Sequence, residues 1–296
     1  MSVSGASPVG SAASIREVEM SSPSVSRRQL SAQMRRKRLD AGMTIEQAAD
    51  SLEWSMTKVS NIETGRSKKP AVTDIRLLLD LYRVQDERER ESILALTRQS
   101  RERGWWNRYD DVLGGAYASL EAGAKSVRLF EAQYIPGLFQ TAGYAEASAQ
   151  ATLIRDPDDI QRTVEARMRR QKILEQEDPP DVWAIIHESA VEMLRATPDL
   201  FSSQVERLIE LAESPNSVTL QVLPLSAGLH AGMGGPFVIL DYEDAAQSLV
   251  FLETNTDGLY LEKPPEIDRY RRCFDRLLAK ALDPDDVPGY LRSLSA

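Results

Sequence analysis

Residues 44–70 read TIEQAADSLEWSMTKVSNIETGRSKKP, and this stretch decides the fold of the N-terminal region. Thr44 followed three residues later by Gln47 is a capping box, in which the threonine hydroxyl accepts the Gln47 amide and the glutamine side chain reaches back. Ala48 and Ala49 keep the helix that follows thin, so another helix can cross it closely. The pattern predicts a short, capped helix.

A second helix follows a turn at Glu53 and Trp54. Ser55 is its expected N-cap, and Gly65 ends it because glycine tolerates a positive φ. Val59 and Ile62 fall on its buried side. The remaining side chains form an outer face, and they are Met56, Thr57, Lys58, Ser60 and Asn61.

Two further helices flank this pair. The first, at about Gln29–Ala41, is expected to bury Leu30, Met34 and Leu39. Its outward face is predicted to hold Arg35, Arg36, Lys37 and Arg38. After Pro70, apolar residues recur at helical spacing and predict another helix. They are Ile75, Leu78, Leu79 and Tyr82.

The charge of the chain is unevenly divided. Residues 27–69 contain ten Lys and Arg against five Asp and Glu, a balance of +5, whereas residues 70–296 contain 25 against 38, a balance of −13. An acidic chain with one compact basic block favours a polyanion site confined to that block. A charged face that only contacts solvent is the alternative.

Together these features predict a helix-turn-helix, because the major groove of DNA admits one α-helix that reads base edges from its N-terminal turns. The side chains predicted to face the bases are Met56, Thr57, Lys58 and Asn61. Phosphate contacts fix the register of such a domain. We assign them to Arg35, Thr44, Ser55, Ser60, Arg66, Lys68 and Lys69. A plain helical bundle without nucleic acid is the alternative.

The stretch 44–70 resembles the helix-turn-helix of the XRE family, the Cro and repressor type. The resemblance covers roughly residues 30–83 and rests on the small residues of one helix, the S-x-x-x-V-S-x-I-E-x-G pattern and the basic loop ending near proline. It implies a five-helix, lambda-repressor-like DNA-binding domain. Glu53 stands where that family usually has glycine, so we expect a turn that differs slightly.

Three domains are expected. Residues 1–26 contain nine serines and no aromatic residue, which predicts a disordered arm. Residues 27–103 form the helix-turn-helix domain. Residues 104–296 form an α+β regulatory and dimerisation domain, so the chain is mainly α with an α+β second domain. Its expected strands, in a sheet predicted to be antiparallel, are 127–134, 182–186, 217–223, 236–241 and 248–253. Its expected helices are 160–174, 198–213 and 266–282.

The second domain has a resemblance of its own. Residues 131–145 (EAQYIPGLFQTAGYA), 167–171 (RMRRQ) and 220–232 (LQVLPLSAGLHAG) are similar to segments of a large actinobacterial regulator family. Those proteins join an XRE reader to a C-terminal domain, are often encoded beside a small acidic protein and have been described as antitoxin-like. The resemblance implies a regulatory domain and a small protein partner from an adjacent gene.

Four residues of this domain are candidates for a ligand or partner site: Gln140, Thr141, His187 and His230. Glu131 and Gln133 also surround the Pro136-Gly137 turn. Each has a structural alternative, since polar groups at a strand-to-helix turn also satisfy the backbone and isolated histidines are often structural. The sequence has no phosphate-loop spacing and no nucleophile-elbow context.

The composition excludes several kinds of structural and metal site. One cysteine and two histidines rule out a disulfide framework and multi-cysteine or histidine-rich metal sites, so we expect no metal and no cofactor. Cys273 is interpreted as a small buried hydrophobe rather than a redox sensor. Trp105 and Trp106 are interpreted as domain or dimer packing. No apolar run is long enough to span a membrane, and residues 1–10 have neither the basic nor the apolar region of a signal peptide, so we expect a cytoplasmic protein.

The sequence therefore predicts a dimeric, sequence-specific transcriptional regulator that binds double-stranded DNA and is not an enzyme. Its second domain is expected to sense a protein or a small molecule. The alternative is an antitoxin-like interaction module whose DNA binding is autoregulatory. A hydrolase fused to a DNA anchor is a third possibility, which would require a nucleophile–base pair in space.

Overall fold

The computed structural model describes residues 23–67, 69–101, 108–109, 117–152, 154–214, 217–243, 248–254 and 258–294. Within these ranges, five helices form the N-terminal domain: α1 (Pro23–Asp40), α2 (Ile45–Ser51), α3 (Met56–Glu63), α4 (Val72–Leu81) and α5 (Glu87–Gln99). This confirms the five predicted helices. The helix α1 begins inside the segment expected to be a disordered arm, and residues 1–22 lie outside the described ranges.

The five helices share one apolar core. Leu30 and Met34 of α1 pack with Val59 of α3 and with Ile75 and Leu78 of α4, and all five side chains are buried. Ala48 and Ala49 of α2 are buried against the same core, as their small size predicts. The helix-turn-helix is thus held by its own core.

One face of α1 differs from the prediction. Leu39, expected to be buried, is 57% exposed, whereas Arg38, expected on the outward face, is 6% exposed. The reason is helical phase, because Arg38 follows Leu30 and Met34 at four-residue steps and so continues their face. Its guanidinium is paired with the buried carboxylate of Glu63, with Nε–Oε1 at 2.8 Å and Nη2–Oε2 at 2.9 Å.

The C-terminal domain is α+β, as predicted. Its helices are α6 (Tyr117–Glu121), α7 (Ala142–Ala151), α8 (Pro157–Gln171), α9 (Glu188–Glu192), α10 (Pro198–Glu213), α11 (Pro264–Leu278) and α12 (Val287–Leu294). Its strands are β1 (Ser126–Glu131), β2 (Asp181–His187), β3 (Val218–Leu223), β4 (Phe237–Asp241), β5 (Leu249–Glu253) and β6 (Gly258–Leu261). The five expected strands are present, whereas β6 was not expected.

The sheet is mixed rather than antiparallel throughout. Its order is β3-β2-β1-β4-β5-β6. The strands β1, β2 and β3 are parallel to their neighbours in this set. The pairs β1–β4, β4–β5 and β5–β6 are antiparallel. The parallel half follows from the connections, because helices separate β1 from β2 and β2 from β3, and such helical crossovers return the chain in the same direction.

Helices cover both faces of this sheet. The larger core, on the face that carries Leu129 and Phe251, includes residues of α6, α7, α9, α10 and α12. The other face, which carries Phe130 and Phe237, packs against Phe274 of α11. The parallel strands end together at Glu131, His187 and Leu223, the edge of an α/β sheet where ligands commonly bind.

The helix α1 also contacts the C-terminal domain. Arg28 Nη2 lies 3.3 Å from Glu262 Oε1, and its guanidinium lies over the ring of Tyr242. The Tyr242 hydroxyl donates to the Leu120 carbonyl of α6, at 3.0 Å. The helix α6 therefore sits beside the first helix of the helix-turn-helix domain.

No helix in the described part of the chain combines the length and the apolar composition needed to cross a membrane.

Candidate nucleic-acid interface

Side-chain caps fix the two helices of the helix-turn-helix. Thr44 Oγ1 accepts the Gln47 amide at 3.1 Å, and Gln47 Oε1 accepts the Thr44 amide at 2.9 Å, so the predicted capping box is confirmed. Ser55 Oγ accepts the Lys58 amide at 3.2 Å and caps α3. Both hydroxyls are therefore occupied by caps, and both residues are exposed, as a phosphate contact would require.

The turn between α2 and α3 is tight. The Trp54 amide donates to the Ala49 carbonyl at 2.8 Å, and Glu53 has a φ of 54°. This left-handed conformation favours glycine, because the Cβ of other residues crowds the backbone. The turn thus has the backbone that a glycine would adopt, with a glutamate in its place.

The helix α3 has one buried and one open side. Val59, Ile62 and Glu63 are buried, whereas Met56 is 52% exposed and Thr57 is also exposed. The other predicted outward residues, Lys58, Ser60 and Asn61, are half-buried. The first turn of α3 is therefore the part of the helix most open to a ligand.

Lys58 is held against the protein. Its Nζ lies 2.9 Å from Asp74 Oδ1 and 3.6 Å from the ring centroid of Trp54. Asp74 lies in the first turn of α4, and sequence reasoning missed it because its partner is 16 positions away. The lysine amine could contact a base only after its ion pair with Asp74 is broken.

A cleft joins the predicted base-facing and phosphate-facing residues. It has a volume of about 350 Å³. Its lining includes Ser55, Thr57, Lys58, Asn61, Ser67, Lys69 and Asp74. The loop after α3 forms one wall, since the Ser67 amide donates to the Asn61 carbonyl at 3.0 Å. The structure thus brings Thr57, Lys58 and Asn61 together with Ser55 and Lys69.

The other predicted phosphate contacts are placed as follows. Arg66 is exposed in the loop after α3, and Ser60 is half-buried, with its carbonyl accepting the Thr64 hydroxyl. Arg35 is exposed on α1, outside the cleft. Lys68 lies outside the described residues, as do Trp105 and Trp106.

In the C-terminal domain, Gln140 and Thr141 are engaged in internal hydrogen bonds. Gln140 is buried, donates to the Ile135 carbonyl at 2.7 Å and accepts from Arg167 Nη1 at 2.8 Å. Thr141 Oγ1 caps α7 by accepting the Tyr144 amide at 3.2 Å. This is the structural alternative considered for both residues.

The two histidines, 43 positions apart, meet at the edge where the parallel strands end. Their ring centroids are 5.2 Å apart. Burial lowers the pKa of both imidazoles, and the neighbouring His187 and Lys280 lower the pKa of His230 further. Spacing in the sequence gave no signal for this pairing.

A serine missed by sequence reasoning lies beside His187. Ser189 Oγ is 2.6 Å from His187 Nδ1, but it also donates to the Ala132 carbonyl at 2.8 Å. His187 Nδ1 accepts the Ser189 amide as the cap of α9. Among the described residues, no group of three or more His, Cys, Asp and Glu side chains is arranged to hold a metal ion.

Two family models match this chain, one in the N-terminal domain and one in the C-terminal domain. A family model described as a helix-turn-helix domain matches residues 29–93, from α1 into α5. A second model, described as a domain of unknown function (DUF5753), matches residues 115–292, which is more than half of the chain. Neither the curated proteins nor the solved structures gave a match. The chain therefore belongs to the DUF5753 family and carries a helix-turn-helix domain before the family's domain.

Proposed function

We propose that this protein is a sequence-specific transcriptional regulator that binds double-stranded DNA with α3 in the major groove. The observation that carries the proposal is the open first turn of α3, where Met56 and Thr57 are exposed. Side-chain caps fix the N-terminus of α3 and that of the preceding helix, α2. Rigid caps favour readout, because they hold the reading side chains in place before DNA arrives. The balance of +5 in residues 27–69 supports attraction to phosphates.

We further propose that it acts as a homodimer through the C-terminal domain, in the cytoplasm and on the nucleoid. A single reader contacts too little DNA for tight binding, whereas two readers on half-sites one helical turn apart double the contacts. The acidic C-terminal domain, with its balance of −13, favours an orientation away from the phosphates. Its surface then remains available to a small protein or a small molecule.

We interpret the contact between His187 and Ser189 as a helix cap and not as a catalytic pair. The serine has one hydroxyl proton, and a hydrogen bond to the Ala132 carbonyl competes with His187 for it. The imidazole nitrogen that faces the serine already accepts a backbone amide. We therefore propose that the protein is not an enzyme.

Selection of binding sites from random duplex DNA tests the reading role of α3. For Asn61→Ala we expect a loss of about 1–3 kcal/mol that is confined to particular base pairs. For Arg66→Ala we expect weaker binding to all sequences alike and a salt dependence shallower by about one unit. Arg272→Ala, which removes an exposed arginine of α11, is the matched control and should bind as the wild type does.

A uniform loss for Asn61→Ala at every operator position would contradict the assignment of α3. Equal affinity of the wild type for all duplexes would contradict sequence-specific binding itself. Occupancy across the chromosome separates a regulator from an autoregulatory, antitoxin-like module. Many occupied loci favour the regulator, and occupancy of its own promoter alone favours the module.

A further inference from the structure

The loop between β3 and β4, residues 224–236, presents large apolar side chains to solvent. Leu229 is 83% exposed and Met233 is 64% exposed, and Leu225 is exposed as well. A single exposed apolar residue is ordinary on a protein surface, whereas a concentration of them indicates a contact site. We call residues 224–236 the apolar loop.

Side chains from α11 and from the residues just after it hold the apolar loop in place. Lys280 Nζ donates to the Ala227 carbonyl at 3.0 Å and to the Leu229 carbonyl at 2.8 Å. Cys273 Sγ donates to the Ala231 carbonyl at 3.0 Å. These bonds fix the backbone that carries the exposed side chains. A surface that is ordered before binding loses less conformational entropy when a partner arrives.

A row of arginines on α11 lies beside the apolar loop. Its members, Arg269, Arg272 and Arg276, recur at helical spacing on the side of α11 opposite the buried Phe274, and all three are exposed. Cys273, which binds the loop, is four residues after Arg269 and three before Arg276. It is therefore their neighbour on the helix surface, so the arginine row and the apolar loop form one surface.

The arginine row is not neutralised within the described part of the chain, where none of its three members forms an ion pair. Arg271, on the inner side of α11, shows the contrast, since it pairs with Asp241 at 2.6 Å and with Asp268 at 3.6 Å. Residues 263–280 contain six Lys and Arg against three Asp and Glu, a balance of +3, although residues 70–296 have a balance of −13. The acidic domain thus carries a local basic surface.

The chemistry of this surface selects its partner. Guanidinium groups bind carboxylates through two parallel hydrogen bonds, and arginine and methionine are both enriched at protein interfaces. A nucleic-acid backbone would satisfy the arginine row but would leave Leu229 and Met233 uncovered. A protein segment with carboxylates and large apolar side chains satisfies both parts of the surface. From Arg269 to Arg276 the helix rises about 10 Å, so the carboxylates must be spread over a similar length.

We propose that the arginine row and the apolar loop bind an acidic, amphipathic segment of another protein. Its carboxylates contact Arg269, Arg272 and Arg276, and its large apolar side chains cover Leu229 and Met233. This assignment rests on the sensing role proposed above and gives that role a class of partner. Its test needs no DNA, so its failure would leave the proposed regulator intact.

Selection from a random peptide library on the full-length protein provides the probe. The enriched peptides should be rich in Asp and Glu and should carry large apolar residues. Fluorescence anisotropy of one labelled synthetic peptide then measures its affinity. Replacing its acidic residues by amides, or its apolar residues by serine, should weaken binding at least tenfold. No enrichment, or enrichment of peptides without acidic residues, would overturn the proposal.

Variants locate the peptide on the protein. Arg269→Glu combined with Arg276→Glu should weaken binding at least tenfold, and Leu229→Ser about fivefold. All three positions are exposed, so the fold does not depend on them. Arg155→Glu combined with Lys172→Glu makes the same change of net charge at exposed positions outside α11. This control should bind within about twofold of the wild type, and equal binding by the arginine variant and the control would overturn the assignment.

Two further measurements separate a protein partner from other polyanions. Adding the peptide to the wild type should slow hydrogen exchange in residues 224–236 but not in α3, and unchanged exchange in the apolar loop would contradict the proposal. Vesicles of phosphatidylglycerol and a duplex of random sequence should bind the arginine variant as well as they bind the control. A selective loss in the arginine variant would assign the row to a membrane or to nucleic acid instead.

Discussion

Arg38 and Glu63 form a two-pronged ion pair in the interior of the helix-turn-helix domain, with both side chains almost fully buried. Arg38 Nη1 also donates to the Met43 carbonyl at 2.7 Å, in the segment between α1 and α2. The Glu63 carboxylate holds the pKa of Arg38 above its ordinary value. This pair therefore ties the end of α1 to the end of α3 and to the start of α2.

Removing one partner of this pair should be strongly destabilising. Glu63→Gln leaves a buried guanidinium without its counter-charge, and such losses are typically about 3–5 kcal/mol. We expect early unfolding of the N-terminal domain, measured by hydrogen exchange of the α3 amides in the full-length protein. The control is Arg35→Met on the exposed side of α1, which should leave exchange unchanged. Equal protection in both variants would contradict a structural role for the pair.

Glu53→Gly should stabilise the same domain. The left-handed backbone at Glu53 costs a residue with a Cβ about 1–2 kcal/mol, part of which glycine loses again through the flexibility of the unfolded chain. We expect a net gain of about 0.5–1 kcal/mol in the free energy of unfolding, measured with urea. Glu53→Ala keeps the Cβ and should show no such gain. A destabilised glycine variant would mean that the glutamate makes compensating contacts.

Asp74 should restrain Lys58 in the free protein. Asp74→Asn releases the lysine amine and removes a negative charge from the cleft beside α3. Because a partly exposed ion pair contributes at most about 1 kcal/mol, we expect DNA affinity to rise about two- to fivefold at low salt. Fluorescence anisotropy measures it. The double variant Asp74→Asn with Lys58→Ala should lose the gain, and a gain that persists there would exclude Lys58 as the released contact.

Dimerisation should require the C-terminal domain. The N-terminal helices have a core of their own, so a fragment of residues 1–103 should fold and sediment as a monomer. It should also bind a palindromic operator much more weakly than the full chain does, because each reader then binds alone. A tight dimer of this fragment would contradict the assignment.

Glu131 should make stability depend on pH. Since its pKa is raised to about 8, the folded protein binds more protons than the unfolded chain does between about pH 4.5 and pH 8. Its contribution to the free energy of unfolding is therefore present at low pH and lost as the pH rises through this window. Relative to the wild type, Glu131→Gln should gain stability from pH 5 to pH 8, as urea titrations would show. A constant difference across this range would contradict the raised pKa.

Local rules account for much of what the sequence predicts. The caps at Thr44 and Ser55 depend on residues three positions apart, and helix α10 has the bounds that its apolar stripe and Pro198 predict. Residues close in the sequence therefore determine where such elements begin and end. Sequence reasoning thus predicts the positions of α3 and of five of the six strands described.

Contacts between distant segments account for the rest. The pairing of Lys58 with Asp74 and the meeting of His187 with His230 both depend on how elements pack. The helices between β1, β2 and β3 indicate the parallel half of the sheet, and the prediction of an antiparallel sheet does not take them into account. The short strand β6 has four residues and an exposed Leu259, which is too weak a pattern for prediction.

The helix α6 has five residues, and every one of them is buried. Arg170 of α8 holds its last residue, Glu121, and α1 packs along it. With no side facing solvent, α6 cannot absorb a displacement by moving outward into water. Any shift of Arg170 would therefore have to be accommodated by α1 or by the sheet, the two elements on either side of α6.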